Sequence, residues 1–250
     1  MNSFIKWVGG KRFLRTQILQ EFPTDISNYV EVFGGAAWLL FARENKKGME
    51  VYNDVNHNLV NLFRCVKYHA RTLQEELQWS MVSREFFEDA LSNYQNPNLT
   101  DIQRAARFFL LIKCSFGGKL QDFSGSRVSL DNTVRELERI QQRLKNTVIE
   151  QMDFQDLIRR YDRPETLFYV DPPYFQVEKY YAEGFGKTDH IRLKEALDKI
   201  QGRFVLTYND CLFVRELYRQ YPMKSLERQS NITSMSTNTR YQEVLIKNFI

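Results

Sequence analysis

Apolar residues recur along this chain in two rhythms, and the switches between them outline the architecture. Short runs rich in β-branched and aromatic residues at 29–33, 49–52, 148–152, 167–170, 204–207, 223–227 and 243–246 predict strands. Between them the spacing turns helical: Leu14, Ile18 and Phe22 share a face, 38–42 is an apolar helix, and Leu193, Leu197 and Ile200 align in a helix beginning at Asp189. Strand and helix in alternation predict an α/β fold. Residues 56–146 break the alternation, reading as helices at 57–78, 83–93, 100–116 and 132–145, with Leu59, Leu62, Phe63 and Val66 on one face of the first. That length of helix is best explained as an insertion. The predicted organisation is therefore one domain from 1–55 and 147–250, with a helical subdomain at 56–146. Within the insertion, residues 115–130 hold Gly117-Gly118 and Ser124-Gly125-Ser126 and predict a mobile loop or a short hairpin.

Polar chemistry gathers where the strands stop. Leu167 to Tyr174 reads Leu-Phe-Tyr-Val-Asp-Pro-Pro-Tyr, a buried strand halted by an acid, two prolines and an aromatic ring. In open α/β sheets the carboxyl edge is where ligands bind. Pro172 and Pro173 lack backbone N–H groups, so carbonyls beside them are free of the ladder and can accept a hydrogen bond from a ligand. Asp171 is a second acceptor and Tyr174 a flat stacking face, a set suited to an exocyclic amino group on an aromatic base. A plain Pro-Pro turn capped by an acid explains the same four residues if they stand alone.

The other strand ends favour the ligand reading. Phe33 is followed by Gly34-Gly35-Ala36-Ala37 and a helix, the general form of a nucleotide-binding βα unit, although the GxGxxG spacing is absent. The next strand ends in Asn53-Asp54, where an acid either holds a ribose hydroxyl or caps the following helix. Another ends in Asp153-Phe154. Near the start, Gly9-Gly10-Lys11 fails as a P-loop, because Ile5 stands where the first glycine belongs and Arg12 where Ser or Thr should follow. Lys11 can still reach a carboxylate, and the glycine pair lets a ligand approach the backbone.

Composition narrows the class. At 43% apolar and 26% charged, with no apolar run near the roughly 20 residues that span a bilayer and no signal-peptide core, the chain reads as a cytoplasmic globular protein without membrane contact. Cys65, Cys114 and Cys211 form no CxxC pair and read as buried thiols; His57, His69 and His190 make no metal-ligand spacing, so no metal is expected. Nine Lys and Arg against five acids within 101–146 account for the entire net charge of +4. Such a run is commonly a solvated helix face, but it also suits nucleic acid; Lys119 and Arg127 flank its loop, with Phe116 and Phe123 interleaved.

In order along the chain stand Phe-Ile-Lys-Trp-Val-Gly-Gly-Lys (4 to 11), Val-Glu-Val-Phe-Gly-Gly-Ala (30 to 36), Asn-Asp-Val-Asn (53 to 56), Asp-Phe (153 to 154), Asp-Pro-Pro-Tyr (171 to 174) and Glu-Val-Leu-Ile-Lys-Asn (243 to 248). In these the chain resembles the Dam-type, alpha-group, D12 class of adenine-N6 DNA methyltransferases. The resemblance implies a Rossmann-like sheet that binds S-adenosylmethionine, with an inserted helical subdomain for DNA recognition. It implies that Trp7, Lys11 and the turn Phe33, Gly34, Gly35, Ala36 embrace the methionine part, that Asp54 takes the ribose, and that Asp153 with Phe154 takes the adenine. Asp171 would border the cofactor while acting, with Pro172, Pro173 and Tyr174, on a flipped-out target adenine. Lys6 would lie against double-stranded DNA, and Lys119 and Arg127 would meet its phosphates. A monomer is expected, with a cognate restriction endonuclease as one candidate partner beside DNA. Members that read GATC carry a longer, Arg- and Asn-rich hairpin, whereas 115–130 is shorter and rich in Gly and Ser, so the target is open between GATC and a relaxed site. The competing readings are an RNA adenine methyltransferase, a protein glutamine methyltransferase, against which Asp171 argues because those enzymes generally carry Asn there, and a DNA-binding relative without catalysis.

Overall fold

The structure, a computed structural model, describes residues 1–44, 48–80, 82–115, 118, 120–124, 130–176, 184–227 and 242–250. Among the described residues the strands are β1 (Asn28–Glu31), β2 (Glu50–Asn53), β3 (Thr147–Glu150), β4 (Thr166–Val170), β5 (Arg203–Asn209), β6 (Met223–Glu227) and β7 (Gln242–Lys247). They form one seven-stranded sheet in the order β3-β2-β1-β4-β5-β7-β6. β1 pairs in parallel with β2 and β4, and β4 with β5, whereas β7 runs antiparallel to both β5 and β6. The mixed sheet makes this an α/β fold, as the alternation predicts. Every residue of β4 is buried, which is why its sequence is an unbroken apolar run apart from Thr166.

Register decides what reaches the carboxyl edge. Glu31 stands opposite both Tyr52 and Tyr169, and Val170 opposite Leu206, so Phe33, Asp171 and Thr207 emerge together at one end of the parallel strands. β7 enters from the other direction, with Glu243 facing Asn209, and so brings its first residues to that same end.

The chain divides into two compact units. The first comprises Met1–Gly10, Gly35–Ala42 and Asp54–Gln151. It holds α2 (Trp38–Ala42), α3 (His57–Gln78), α4 (Arg84–Asn93), α5 (Asp101–Cys114) and α6 (Leu130–Leu144). Its helices start on side-chain caps: Asn56 accepts from Leu59 N, Ser83 from Phe86 N, and Thr100 forms a reciprocal capping box with Gln103. Phe4 packs its ring 5.1 Å from Phe63 and 6.0 Å from Phe41, on the apolar face that Leu59, Leu62 and Val66 extend. α3 kinks at His69, whose backbone leaves the helical region. Of the predicted loop at 115–130, the described part closes as a turn, with Ser115 bridged to Phe123 and Ser124 N donating to the Cys114 carbonyl at 2.7 Å.

The second unit comprises Lys11–Gly34, Arg43–Asn53 and Met152–Ile250, with α1 (Arg15–Gln20), α7 (Phe154–Tyr161), α8 (Lys187–Leu197) and α9 (Leu212–Leu217). Neither α7 nor α9 is among the elements predicted from the sequence. Both are short, and α7 buries only Phe154, Leu157 and Ile158. Cys65 and Cys114 are buried as predicted, but Cys211 is only half-buried, because it stands at the N-cap of α9. Among the described residues no helix is long and apolar enough to cross a membrane, and no group of His, Cys, Asp and Glu could hold a metal ion.

Candidate active site

Asp171 lies one residue beyond β4, and both its oxygens are engaged. Oδ2 accepts from Lys11 Nζ at 2.7 Å, and Oδ1 accepts from the Thr207 hydroxyl at 2.9 Å, which in turn is 2.9 Å from the Tyr169 hydroxyl. Lys11 is 4% exposed and Asp171 half-buried, so the pair is largely withdrawn from solvent. Its ammonium also stands 3.8 Å from Glu243 and 4.9 Å over the centre of the Tyr174 ring. Tyr174 donates its hydroxyl to Glu243 Oε2 at 2.8 Å. One ammonium and two carboxylates leave the cluster with a formal negative charge.

The electrostatics follow from this enclosure. Burial pushes the Asp171 carboxyl above the ordinary carboxylate range, Lys11 pulls it back, and Glu243 adds to the rise. Burial, reinforced by Asp171 and Glu243, holds the Tyr174 phenol well above its usual value, so the hydroxyl stays a donor. Pro172 is buried and Pro173 half-buried. Beyond Tyr174, Asn209 Nδ2 donates to the Phe175 carbonyl at 3.2 Å and ties that segment to the end of β5.

A second group in the same unit is aromatic. Phe33, Phe154 and Phe185 form a triangle with ring centres 5.7, 5.7 and 5.8 Å apart, and the Arg192 guanidinium sits 4.8 Å over Phe154. Asp153 caps α7 by accepting from Gln155 N at 2.9 Å and pairs with Arg192 at 3.1 Å. Asn53 pins this edge: its amide donates to the Val32 and Met152 carbonyls and its oxygen accepts from Met152 N. Gly34 donates to the Asn53 carbonyl at 2.7 Å, and a Cβ on it would run into the Tyr52 ring and stand 2.8 Å from that carbonyl, which is why glycine is required there.

In the first unit, Gly35 adopts a left-handed φ of +48° and its N–H donates to Asp54 Oδ2 at 2.8 Å; Asp54 Oδ1 accepts from Asn56 N at 2.9 Å. Asp54 thus laces the glycine turn, and the helix cap allowed for it from sequence is supplied by Asn56 instead. Ala36 is buried. A Cβ on Gly35 would meet Trp7 at 3.1 Å, and Trp7 packs 5.8 Å from Phe108. Lys6 is exposed, and its backbone carbonyl would lie 2.7 Å from a Cβ on Gly118. Burial, with Lys6 nearby, lowers Lys113 to about 8. Lys119 and Arg127 lie outside the described residues.

Of the residues predicted from sequence, the structure brings Lys11, Asp171 and Tyr174 into one cluster and Phe33 and Phe154 into another, both in the second unit. Thr207, Glu243 and Phe185 are not among the site residues expected from sequence, although Glu243 opens the motif at 243 to 248. Glu243 and Thr207 carried a signal, being polar residues in otherwise apolar strands, while Phe185 carried none.

A mixed α/β sheet that presents Asp-Pro-Pro-Tyr at its carboxyl edge is the fold and signature of a methyltransferase. The sequence model of the D12 class N6 adenine-specific DNA methyltransferases matches residues 7–232, and the chain belongs to that family. It is 25% identical to the Type II methyltransferase M.CviBI of Paramecium bursaria Chlorella virus NC1A, over 92% of this chain and 91% of that protein. It is 27% identical to the Type II methyltransferase M.MjaIII of Methanocaldococcus jannaschii, over 100% and 99%, and 24% identical to the DNA adenine methylase of Haemophilus influenzae, over 92% and 87%.

Proposed function

We propose that this chain transfers a methyl group from S-adenosylmethionine to N6 of an adenine flipped out of duplex DNA. The observation that carries the reading is the cluster of Asp171, Lys11, Tyr174 and Glu243 at the strand tip, in which Lys11 and Glu243 are buried. The cofactor supplies an electrophilic methyl group on a positively charged sulfonium, which suits a site whose own charge is formally negative. The Phe33, Phe154 and Phe185 triangle suits its adenine ring, with Asp153 at the margin. Trp7 and the Gly34-Gly35-Ala36 turn are assigned to the methionine part; the left-handed Gly35 brings its backbone against the Trp7 ring, which a Cβ would meet at 3.1 Å. Asp54, a carboxylate at the tip of β2 that laces the glycine turn, is assigned to the ribose hydroxyls. Lys11 serves Asp171, and we assign it a place beside the methionine part of the cofactor.

The chemistry of the acceptor explains the rest. The lone pair on adenine N6 is delocalised into the ring, so the enzyme must favour the geometry in which that nitrogen becomes tetrahedral. Asp171 and the Pro172 carbonyl accept its two hydrogens, and Tyr174 holds the ring by stacking. Asp171 uses one lone pair of each oxygen on Thr207 and Lys11, and a carboxylate offers about four. Opening the duplex costs a few kcal/mol, which contacts from residues 56–146 and from Lys6, Lys119 and Arg127 to the phosphates must offset. The working form in this reading is a cytoplasmic monomer, and similarity to proteins named Type II methyltransferases supports a restriction endonuclease of the same site as its matching partner. The target is GATC or a relaxed variant of it.

Incubation with unmethylated genomic DNA and labelled S-adenosylmethionine, followed by mapping of every modified base, tests the reading. N6-methyladenine at a short recurrent site is expected. Label that goes preferentially to structured RNA in competition, or a protein that binds DNA without binding the cofactor in calorimetry, would sink it.

A further inference from the structure

Glu243 is out of place by the rules that shape its strand. Val244, Leu245 and Ile246 of β7 are fully buried and apolar, as a strand inside a sheet demands, yet Glu243 beside them is a carboxylate at 8% exposure. Burying a carboxylate is costly unless it is paired and hydrogen-bonded. Its partners are the Tyr174 hydroxyl at 2.8 Å and the Lys11 ammonium at 3.8 Å. The sheet explains how it gets there: the antiparallel turn of β7 sets Glu243 against Asn209, at the end where Asp171 emerges.

A tyrosine ring at the end of a loop has two free torsions, and a stacking face is useful only when its plane is fixed. The hydroxyl is the one polar handle on that ring, and a charge-assisted bond to a buried carboxylate is the strongest tether available to it. The same carboxylate draws on the Lys11 ammonium, which lies between Glu243 and Asp171 and over the Tyr174 ring. We propose that Glu243 is a positioning residue for methyl transfer: it anchors the Tyr174 hydroxyl, so that the ring is held at the angle needed to stack on the extruded adenine. This rests on the reaction proposed above.

The test is single-turnover methyl transfer on duplex DNA by wild type, Glu243→Ala, Glu243→Gln, Tyr174→Phe and the Glu243→Ala, Tyr174→Phe double variant, with DNA and cofactor dissociation constants measured for each. Glu243→Ala should slow transfer about tenfold or more, the scale of one lost charge-assisted hydrogen bond, while both dissociation constants move by less than about threefold. Glu243→Gln, which keeps an acceptor for the hydroxyl, should recover most of the rate. In the Tyr174→Phe background, where the handle is already gone, adding Glu243→Ala should cost less than about twofold. Multiplying rather than overlapping losses in the double variant would overturn the assignment. So would a Tyr174→Phe rate within about twofold of wild type, a result that stands even if Glu243→Ala fails to fold. Wild-type enzyme that leaves every adenine unmethylated removes the reaction itself, whereas an active wild type with independent losses removes only the role of Glu243.

Discussion

Replacing Asp171 by Ala isolates the role assigned to the strand tip. The substitution removes one of two acceptors for the amino hydrogens and leaves the Pro172 carbonyl as the other. Loss of a single preorganised transition-state partner costs roughly 10²- to 10³-fold in turnover, so a fall of about 10² is the least the geometry allows. Folding should survive. Burial already opposes the Asp171 charge, and Lys11 keeps Glu243 as a counter-ion at 3.8 Å. Stability is therefore expected within about 2 kcal/mol of wild type, below the cost of stranding a buried charge. The assay is single-turnover transfer of labelled methyl to duplex DNA, with circular dichroism melts as the control and Asp171→Asn as the isosteric companion. Wild-type rates should also fall toward acid pH as Asp171 gains its proton, at a pH above the ordinary carboxylate value because burial raises that group. A folded Asp171→Ala protein turning over within about threefold of wild type would refute the assignment.

Four further outcomes are expected. Lys11→Met should destabilise the fold by about 3 kcal/mol in urea titrations near neutral pH. With its partner gone, the folded-state pKa of Asp171 rises further. Stability from that raised value is present below the unfolded pKa and is lost as pH climbs through the folded one, so the deficit should widen from acid to neutral pH. Gly34→Ala should cost about 1–3 kcal/mol by the same measurement, since its Cβ would press on the Tyr52 ring and the Asn53 carbonyl. Lys113→Met should stabilise at pH 7 by on the order of 2 kcal/mol, because burial holds the lysine at about 8 against an unfolded value near 10.4; the gain should vanish as pH rises across that window. Replacing Lys119 and Arg127 together by Ala should lower the log-log salt slope of DNA binding by about 2, and an unchanged slope would place the phosphate contacts elsewhere.

The elements were legible where periodicity was long or the apolar run unbroken. The helix at 57–78 coincides with α3 because Leu59, Leu62, Phe63 and Val66 repeat at helical spacing and Asn56 supplies its cap. α7 is hard to read from sequence because it is eight residues long, buries only Phe154, Leu157 and Ile158, and ends on the charged Arg159 and Arg160. Asp171 was legible from the halted strand. Its partners were not, since Lys11 lies 160 residues away and nothing local records which carboxylate a lysine will meet. Glu243 could have been found, for a lone acid heading an apolar strand is a local inconsistency that asks for a buried partner. Asp54 was read as a ribose ligand or a cap, and the lacing of Gly35 depends on a left-handed turn that sequence alone does not reveal.

The sheet also sets when this protein can become competent. β7 is threaded between β5 and β6, and it is the element that delivers Glu243 to Lys11 and Tyr174. During synthesis, contacts of such long sequence separation close last. A nascent or prematurely terminated chain that stops short of β7 therefore lacks the tether on Tyr174 and leaves an open sheet edge on β5. A truncating lesion upstream of that strand is therefore expected to yield a product that lacks this tether and presents a strand edge open to aggregation.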